Sequence, residues 1–300
     1  MGIERIVVGI DFSPASLDAA RWAARSLGRG RELVLAHVIA LPAPPPIVRG
    51  QFPRRELVVE TVRVGAEARL RELSLSLGPG PIWLEVREGE VRDTLVRLAR
   101  DYAADLLVVG AHGERTGPDD VLGSTAKHLV GYAEGPVLLA TGTLAASPAH
   151  VIVPLDGGPV DTDAVRWARL LGTALDTRIT AVHVVPTGLV ARAAATMAAS
   201  AAGSSAPEDR SAAARPDFWP ERAIRAGVPR ERAASEVLSG DPATEIVALA
   251  HRTEGALIVM GRRGAGSVRR AVLGSVTEAV LDRAPCPVLV VPERGRVGGA

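Results

Sequence analysis

Short runs of Val, Ile and Leu alternate along the chain with longer stretches in which apolar residues recur at helical spacing. A short apolar run bounded by turn residues is typical of a buried strand, whereas the longer periodic stretches indicate amphipathic helices. In the first half, the predicted strands are 6–10, 33–39, 82–86, 106–109 and 136–140. The predicted helices are 16–27, 56–77, 91–102 and one that begins near Thr125. This alternation predicts an α/β fold with an open parallel sheet wrapped by helices.

The second half repeats the order of the first. The tripeptide Arg-Trp-Ala follows Asp11 at 21–23 and follows Asp156 at 166–168. The predicted elements of this half are strands at 151–156, 179–185, 256–260 and 288–291, a helix end followed by the third strand within 228–238, and helices at 240–251 and 277–283, the last of them opened by Gly274 and Ser275. Of these, 228–238 is the weakest strand, because it contains Pro229 and several charges.

Two segments stand outside this regular pattern. Residues 141–150 are small, polar and contain proline, which is typical of a linker, so we predict domains at 1–143 and 148–293. Residues 187–216 are rich in Ala, Ser and Gly, and we interpret them as partly helical and partly mobile. They follow the second strand of their half, at the sheet edge where ligands bind, so they are either a lid or a tolerated surface insertion.

Composition and charge exclude several classes of protein. A formal net charge of +1 over 300 residues argues against a general nucleic-acid binder. No apolar run reaches the roughly 18–20 residues that span a bilayer, and no secretory signal is present, so we expect a cytoplasmic protein without a membrane partner. Cys286 is the only cysteine, which excludes an intramolecular disulfide and a cysteine-based zinc site.

A glycine pattern follows the fourth predicted strand of each half. Glycines allow the backbone to approach an anion, and the first amides of the next helix point at it. The serine hydroxyl that opens this helix can donate one more hydrogen bond. Each half therefore carries a candidate phosphate cradle, composed of Gly110, Gly113, Gly123 and Ser124 in the first half and of Gly261, Gly264, Gly274 and Ser275 in the second.

The full pattern resembles the ATP-binding signature of the universal stress protein family, and the resemblance covers nearly the whole chain twice. It includes the aspartates that end the first strand of each half, the His-Val pairs at 37–38 and 183–184, and the turns at Gly89 and 240–242. It also includes the closing segment 285–292. The resemblance implies two tandem five-stranded parallel sheets of the Rossmann-like, adenine nucleotide alpha hydrolase-like type, with helices on both faces and strand order 3-2-1-4-5.

The same resemblance implies a ligand, ATP with or without Mg²⁺. Adenine and ribose would lie between the strand-one aspartate and the backbone of the strand-two valine, which are Asp11 and Val38 in the first half and Asp156 and Val184 in the second. The phosphates would lie on the glycine cradles. The family further implies a stress-response regulator rather than an enzyme. It also implies that the last strands of the two halves pair antiparallel as an intramolecular pseudo-dimer, with a homodimer of two chains as a further option.

The two sites are not expected to be equal. Between its glycines the second site carries Arg262, Arg263, Arg269 and Arg270, whereas the first carries Glu114, Arg115, Asp119 and Asp120. Acidic side chains repel a triphosphate unless a metal ion intervenes. If these side chains face the phosphates, the second site binds more tightly. The alternative for the arginines is a solvated helix face or a contact surface.

Several of these residues can also be interpreted as having a purely structural role instead of a role in ligand binding. Asp11 and Asp156 would then cap the helix that follows them, as Ser13 is expected to do. His37 and His183 are interpreted as core histidines that hydrogen-bond the backbone, and Cys286 as a packed, inert thiol. His112, inside the first glycine loop, either contacts phosphate or simply fills the loop.

Four other functions compete with the regulatory one. A P-loop NTPase requires a lysine before Ser124 or Ser275, and none is present. A dinucleotide oxidoreductase requires its glycine fingerprint after the first strand, where this chain has Asp11-Phe12-Ser13. The remaining alternatives are a slow ATPase and an interaction module that has lost its nucleotide, which the acidic loop of the first half favours.

Overall fold

The structure is a computed structural model that describes residues 2–41, 55–111, 122–142, 144, 147–156, 161–188, 232–262 and 273–292. The chain divides into two units, Met1–Ser147 and Pro148–Ala300. The domain limits expected from the sequence, 1–143 and 148–293, stay a prediction. The predicted segment 187–216 falls largely outside the described residues.

The first unit contains a five-stranded parallel arrangement. Its strands are β1 (Arg5–Gly9), β2 (Glu32–Ile39), β3 (Ile82–Glu88), β4 (Leu106–Gly110) and β5 (Val137–Ala140). Its helices are α1 (Pro14–Ser26), α2 (Arg55–Ser76), α3 (Val91–Asp101) and α4 (Ser124–Tyr132). The pairs β1–β2, β2–β3, β1–β4 and β4–β5 are all parallel, so the strand order is 3-2-1-4-5.

The second unit has the same order. Its strands are β6 (His150–Pro154), β7 (Arg178–Val185), β8 (Ala233–Ser239), β9 (Ala256–Gly261) and β10 (Val288–Val291). Its described helices are α5 (Asp161–Leu175), α6 (Pro242–Arg252) and α7 (Ser275–Leu281). The parallel pairs are β6–β7, β7–β8, β6–β9 and β9–β10. The predicted fold class is therefore confirmed, including the strand order within each unit.

Chain direction places the helices of the first unit on opposite faces. The connections through α1 and α2 step from β1 outward to β3, whereas those through α3 and α4 step the other way, from β3 back to β4 and on to β5. Parallel crossovers are right-handed, so opposite steps put the two pairs of helices on opposite faces. The contacts agree, because α3 packs on β2 and β1 and also touches α4.

Burial explains why the central strands were readable from sequence and why β8 was the weakest of the predicted strands. β1 and β4 are buried almost throughout, and complete burial of a Val or Leu side chain contributes roughly 1.5–3 kcal/mol. The outer strands β3 and β8 expose part of one face, including Trp83 at 57% and Val237 at 49%. Among the described helices, none is long and apolar enough to cross a membrane.

Several predicted boundaries are corrected. β3 continues two residues past its predicted end because its backbone stays paired with β2 up to Glu88. α7 begins at Ser275 with Gly274 as its N-cap, as the Gly-Ser start predicted, and ends at Leu281, two residues before the predicted end at Arg283. β8 begins at Ala233, beyond Pro229 and its neighbouring charges. The predicted linker 141–150 ends one residue too late, because His150 already pairs with Arg178.

Candidate functional site

A cavity of about 980 Å³ opens at the carboxyl ends of β1, β2 and β4 in the first unit. The chain leaves β1 toward β2 and leaves β4 toward β5, in the opposite direction, so the connections diverge there. Such a divergence opens a crevice in which ligands bind in open parallel sheets. The lining includes five of the predicted site residues: Asp11, Val38, Gly110, Gly123 and Ser124. The sixth, Gly113, lies outside the described residues.

Val38 lines the cavity through its position beyond the end of β1. The last paired residues of these strands are Gly9 and Ala36, and the amide of Ile10 still donates to the carbonyl oxygen of Ala36 at 2.8 Å. In a parallel pair, every second residue directs both its peptide groups to the same neighbour. The peptide groups of Val38 therefore face the space above β1, although its side chain is buried. A planar base can hydrogen-bond a strand edge of this kind.

Asp11 is not the cap of α1. The N-cap is Ser13, whose Oγ accepts from the amide of Ser16 at 3.2 Å, as the sequence predicted. Asp11 lies two residues earlier, and its Oδ1 accepts from the Ser13 amide at 2.9 Å and from the Ser13 hydroxyl at 2.5 Å. The exposed Asp11 carboxylate is thus oriented by the capping residue at the cavity rim.

Phe12, between these two residues, has a left-handed backbone with φ of 65°. For a residue other than glycine, this conformation costs on the order of 1–3 kcal/mol and persists only where neighbouring groups hold it. Two groups contact the Phe12 ring. The His37 ring lies 4.7 Å away between centroids, and Arg69 Cζ of α2 lies 3.8 Å from the ring centroid. The second contact is a cation–π interaction.

His37 also fixes the end of β1, and His183 does the same in the second unit. His37 Nδ1 lies 2.8 Å from the carbonyl oxygen of Ile10, and His183 Nδ1 lies 2.9 Å from that of Leu155. Both are half-buried, so the predicted role as backbone-bonded histidines is confirmed. Burial is the main cause that lowers the pKa of His37, and the positive charge of Arg69 lowers it further, against the opposing effects of the Ile10 bond and Asp11.

The glycine loop of each unit is closed by the same backbone bond. The Gly123 amide donates to the carbonyl oxygen of Ala111 at 3.0 Å, and the Gly274 amide donates to that of Arg262 at 3.0 Å. The loops between these residues, which include His112, Gly113 and Gly264, lie outside the described residues. The two halves thus share the bond that brings the end of the fourth strand to the start of the next helix.

Gly110 has a packing requirement besides its place in the cavity. A Cβ atom on Gly110 would lie 3.1 Å from the carbonyl carbon of Ala15 and from the amide nitrogen of Ser16. The end of β4 and the first turn of α1 are therefore too close for a side chain. This contact holds the two walls of the cavity together.

The first amides of α4 line the cavity with no capping side chain. Gly123 is the N-cap, without a side-chain hydrogen bond, and Ser124, Thr125 and Ala126 follow along the wall. Unpartnered amides at a helix N-terminus and the helix dipole together favour an anion. α7 begins in the same way, with Gly274 as N-cap and an exposed Ser275.

The predicted residues of the second unit occupy equivalent positions. Asp156 is exposed two residues after β6, and Val184 lies two residues beyond the last β6–β7 pair. Gly261 ends β9, where its carbonyl oxygen accepts from the Thr277 hydroxyl at 3.0 Å. Arg262 is only 8% exposed, so it does not belong to a solvated helix face. The other predicted charged residues of the two loops lie outside the described residues: Arg263, Arg269, Arg270, Glu114, Arg115, Asp119 and Asp120.

The cavity contains two charged residues that sequence reasoning missed. Arg55, the first residue of α2, pairs through two nitrogens with Glu88 Oε1, at 3.1 and 2.5 Å. Glu90 is the N-cap of α3 and accepts from the Asp93 amide at 2.9 Å. Glu90 stands next to the recognised Gly89 turn, and that adjacency was a usable signal, whereas no pattern marked Arg55.

Comparison with known proteins gives consistent matches over the whole chain. The profile of the universal stress protein family matches residues 2–141 and again residues 149–292. Universal stress protein Rv2623 of Mycobacterium tuberculosis (strain H37Rv) is 29% identical over 309 residues, covering 96% of each chain. Universal stress protein Rv1996 of the same strain is 28% identical over 310 residues, covering 95% of this chain and 94% of the relative.

A solved structure supports the fold. The crystal structure of a universal stress protein from Archaeoglobus fulgidus DSM 4304 covers 98% of each chain with a TM-score of 0.69 and 19% identity. At this identity the likeness concerns the fold alone.

Proposed function

The chain belongs to the universal stress protein family, and on that premise we propose that it binds ATP, with or without Mg²⁺, and acts as a nucleotide-dependent regulator of a stress response. The observation that carries the proposal is the cavity of the first unit, which joins Asp11, the strand edge at Val38 and the start of α4. Its volume of about 980 Å³ lies at the upper end of the usual range for small-molecule sites.

Each part of ATP has a matching group in this cavity. The peptide groups of Val38 would bind the adenine edge, and the Asp11 carboxylate would accept hydrogen bonds from ribose hydroxyls. Carboxylate acceptors form hydrogen bonds about twice as strong as neutral ones. The phosphates would lie against Gly123, whose own amide is bonded to Ala111, and on the Ser124 amide, where the helix dipole adds about 0.3–1 kcal/mol. Mg²⁺, when bound, would neutralise part of the phosphate charge.

The second unit is proposed to bind ATP through the equivalent residues. These are Asp156, Val184, Gly261, Gly264, Gly274 and Ser275. Support comes from the repeated loop closure at Gly274, the repeated histidine bond to Leu155 and the exposed serine at the start of α7.

Regulation would follow from binding rather than from turnover. A ligand at 100 times its Kd stabilises the conformation that it prefers by about 2.7 kcal/mol, which is enough to change which surface is presented to a partner. The sequence has no lysine of the P-loop type before Ser124 or Ser275, which supports a binding protein over a catalyst.

We extend the proposal to location and assembly. A cytoplasmic location accords with the single cysteine. Antiparallel pairing of the last strands of the two halves, and a homodimer of two chains, remain proposals from the family resemblance. Small-angle X-ray scattering and analytical ultracentrifugation of the full chain would test both, and two independently moving halves would contradict the first.

The experiment that tests ATP binding uses the full chain and calorimetric titration with ATP and Mg²⁺. Replacement of both aspartates, Asp11→Ala with Asp156→Ala, should weaken binding about tenfold or more, the loss expected for hydrogen bonds to a charged group. Asp18→Ala is the matched control, since it removes an exposed carboxylate of α1 that pairs with Arg21. Absence of binding and of any thermal shift at millimolar ATP would favour the nucleotide-free interaction module. Brisk phosphate release would favour an ATPase.

A further inference from the structure

We propose that Phe12 is a positioning residue for Asp11. Contacts with Arg69 and His37 hold the Phe12 ring, and this set of contacts, here called the clamp, lets the first site distinguish nucleotides that carry ribose hydroxyls from those that lack them. The inference rests on the proposed function, since Asp11 is there the ribose ligand. Phe12 itself is not among the residues that line the cavity. Its effect on a ligand would pass through the neighbouring carboxylate.

The left-handed backbone of Phe12 sets the direction in which Asp11 leaves β1. With φ of 65°, Phe12 turns the chain sharply between Asp11 and Ser13. That turn allows the amide and the hydroxyl of Ser13 to reach back to Asp11 Oδ1, at 2.9 and 2.5 Å. If Phe12 relaxed to an ordinary negative φ, the two Ser13 donors would move away from the carboxylate.

Three consecutive residues at this turn are each held by a different contact. The Ile10 carbonyl oxygen is held by His37, the Asp11 carboxylate by Ser13, and the Phe12 ring by both His37 and Arg69. Arg69 belongs to α2, a helix that enters the site from β2 and also contributes Arg55 to the cavity wall. The clamp therefore connects the ribose position to a second element of the fold.

The sequence of the second repeat lacks this ring. The position that corresponds to Phe12 is Gly157, which lies outside the described residues but can adopt a positive φ without strain. No aromatic side chain is available there to be clamped. The contacts of the Phe12 ring thus have no counterpart in the sequence of the second repeat, so the clamp is a feature of the first site.

The test compares ATP with 2′,3′-dideoxy-ATP, which lacks both ribose hydroxyls. The full chain carries Asp156→Ala in every sample, which weakens the second site equally throughout, so that differences between variants report the first site. Phe12→Gly introduces the residue of the second repeat, Phe12→Tyr keeps the ring, and Arg69→Gln removes the cation. Arg71→Gln is the matched control, because it removes an exposed cation from the same helix. Asp11→Asn gives the reference value for a lost ribose contact.

We expect the background protein to prefer ATP over the dideoxy compound by about tenfold, the usual scale for hydrogen bonds to a charged group. Phe12→Gly should reduce this preference, but less than Asp11→Asn does, because glycine keeps access to the positive φ and loses only the ring contacts. Arg69→Gln should reduce it partly, whereas Phe12→Tyr and Arg71→Gln should leave it unchanged. If Arg69 acted only through its charge, Arg69→Gln would weaken the binding of both nucleotides equally and leave the ratio of their affinities unchanged.

Three results would overturn the clamp. One is an unchanged ATP preference in Phe12→Gly. Another is an equal loss of affinity for both nucleotides in Phe12→Gly together with a lower Tm, which would indicate that Phe12 has only a structural role. The last is a background protein that binds neither nucleotide, which also removes the proposed function for this site. If the background protein prefers ATP over the dideoxy compound and the Phe12→Gly protein shows the same preference, the clamp is contradicted while the proposed function stands.

Discussion

His37 Nδ1 lies 2.8 Å from the carbonyl oxygen of Ile10, the residue directly before Asp11. A carbonyl oxygen only accepts, so Nδ1 carries the proton and donates. The same relationship joins His183 to Leu155, directly before Asp156. Each histidine thus ties the second strand of its unit to the residue that precedes the proposed ribose ligand.

The burial of His37 predicts a pH dependence of stability. Burial lowers the pKa of His37 below its ordinary value of 6.5, so the folded state binds fewer protons than the unfolded state below that value. The contribution of neutral His37 to the free energy of unfolding is therefore fully present above pH 6.5. It is lost as the pH falls through the lowered pKa of the folded state. Thermal unfolding between pH 5 and 8, roughly the range in which histidine titrates, should show this loss. His37→Gln, which cannot titrate, should show a smaller loss, and identical pH profiles for the two proteins would contradict the assignment.

Cys286 should be unreactive in the folded protein. Its side chain is buried, and burial raises the pKa of the thiol to about 12. Because the thiolate is the nucleophile, alkylation at neutral pH should be very slow until the chain unfolds. Labelling with iodoacetamide, followed by mass spectrometry, measures this directly, with the protein in denaturant as the positive control. Rapid labelling of the native protein would show that Cys286 is accessible.

Two glycine substitutions should have opposite effects. Gly110→Ala places a Cβ about 3.1 Å from Ala15 and Ser16 backbone atoms, so we expect a loss of about 1–3 kcal/mol in the free energy of unfolding. Gly65→Ala, in the middle of α2 with nothing within 4 Å of its Cβ, should instead stabilise by about 0.5–1 kcal/mol. Urea denaturation measures both. A neutral or stabilising Gly110→Ala would mean that β4 and α1 are less tightly packed than described.

The two proposed sites should differ in affinity. The arginines near the second glycine loop and the acids near the first predict tighter binding of ATP in the second unit. Calorimetry of Asp11→Ala and Asp156→Ala, each leaving one site intact, compares the two units. The Asp11→Ala protein should retain the tighter site, and high salt should narrow the difference. Tighter binding in the Asp156→Ala protein would show that the charged side chains do not face the phosphates.

The repeat was the part of the fold most readable from sequence. Buried strands such as β1 and β4 are continuous apolar runs, and their glycine loops and histidines recur at equivalent positions. The structure shows the equivalence in its bonds, since the Gly123 and Gly274 amides close their loops in the same way. The strand β8 was harder to predict, because it is half exposed and its sequence lacks a clear apolar run.

The details of the site depended on contacts that sequence patterns do not encode. Phe12 and Arg69 are far apart in the chain, and only the packing of α2 brings them within 3.8 Å. The left-handed turn at Phe12 is also unexpected for an aromatic residue, since glycine or asparagine usually marks such a position. Ser13 was predicted as the cap, but its second role, as donor to Asp11, appears only in the structure.

The most direct measurement is the electron density of the protein crystallised with ATP and Mg²⁺. The account predicts adenine against the backbone of Val38, the ribose hydroxyls at Asp11 and the phosphates at Gly123 and the Ser124 amide. A cavity that stays without nucleotide at millimolar ATP, or that holds it in a pose that does not touch Asp11, would contradict the account.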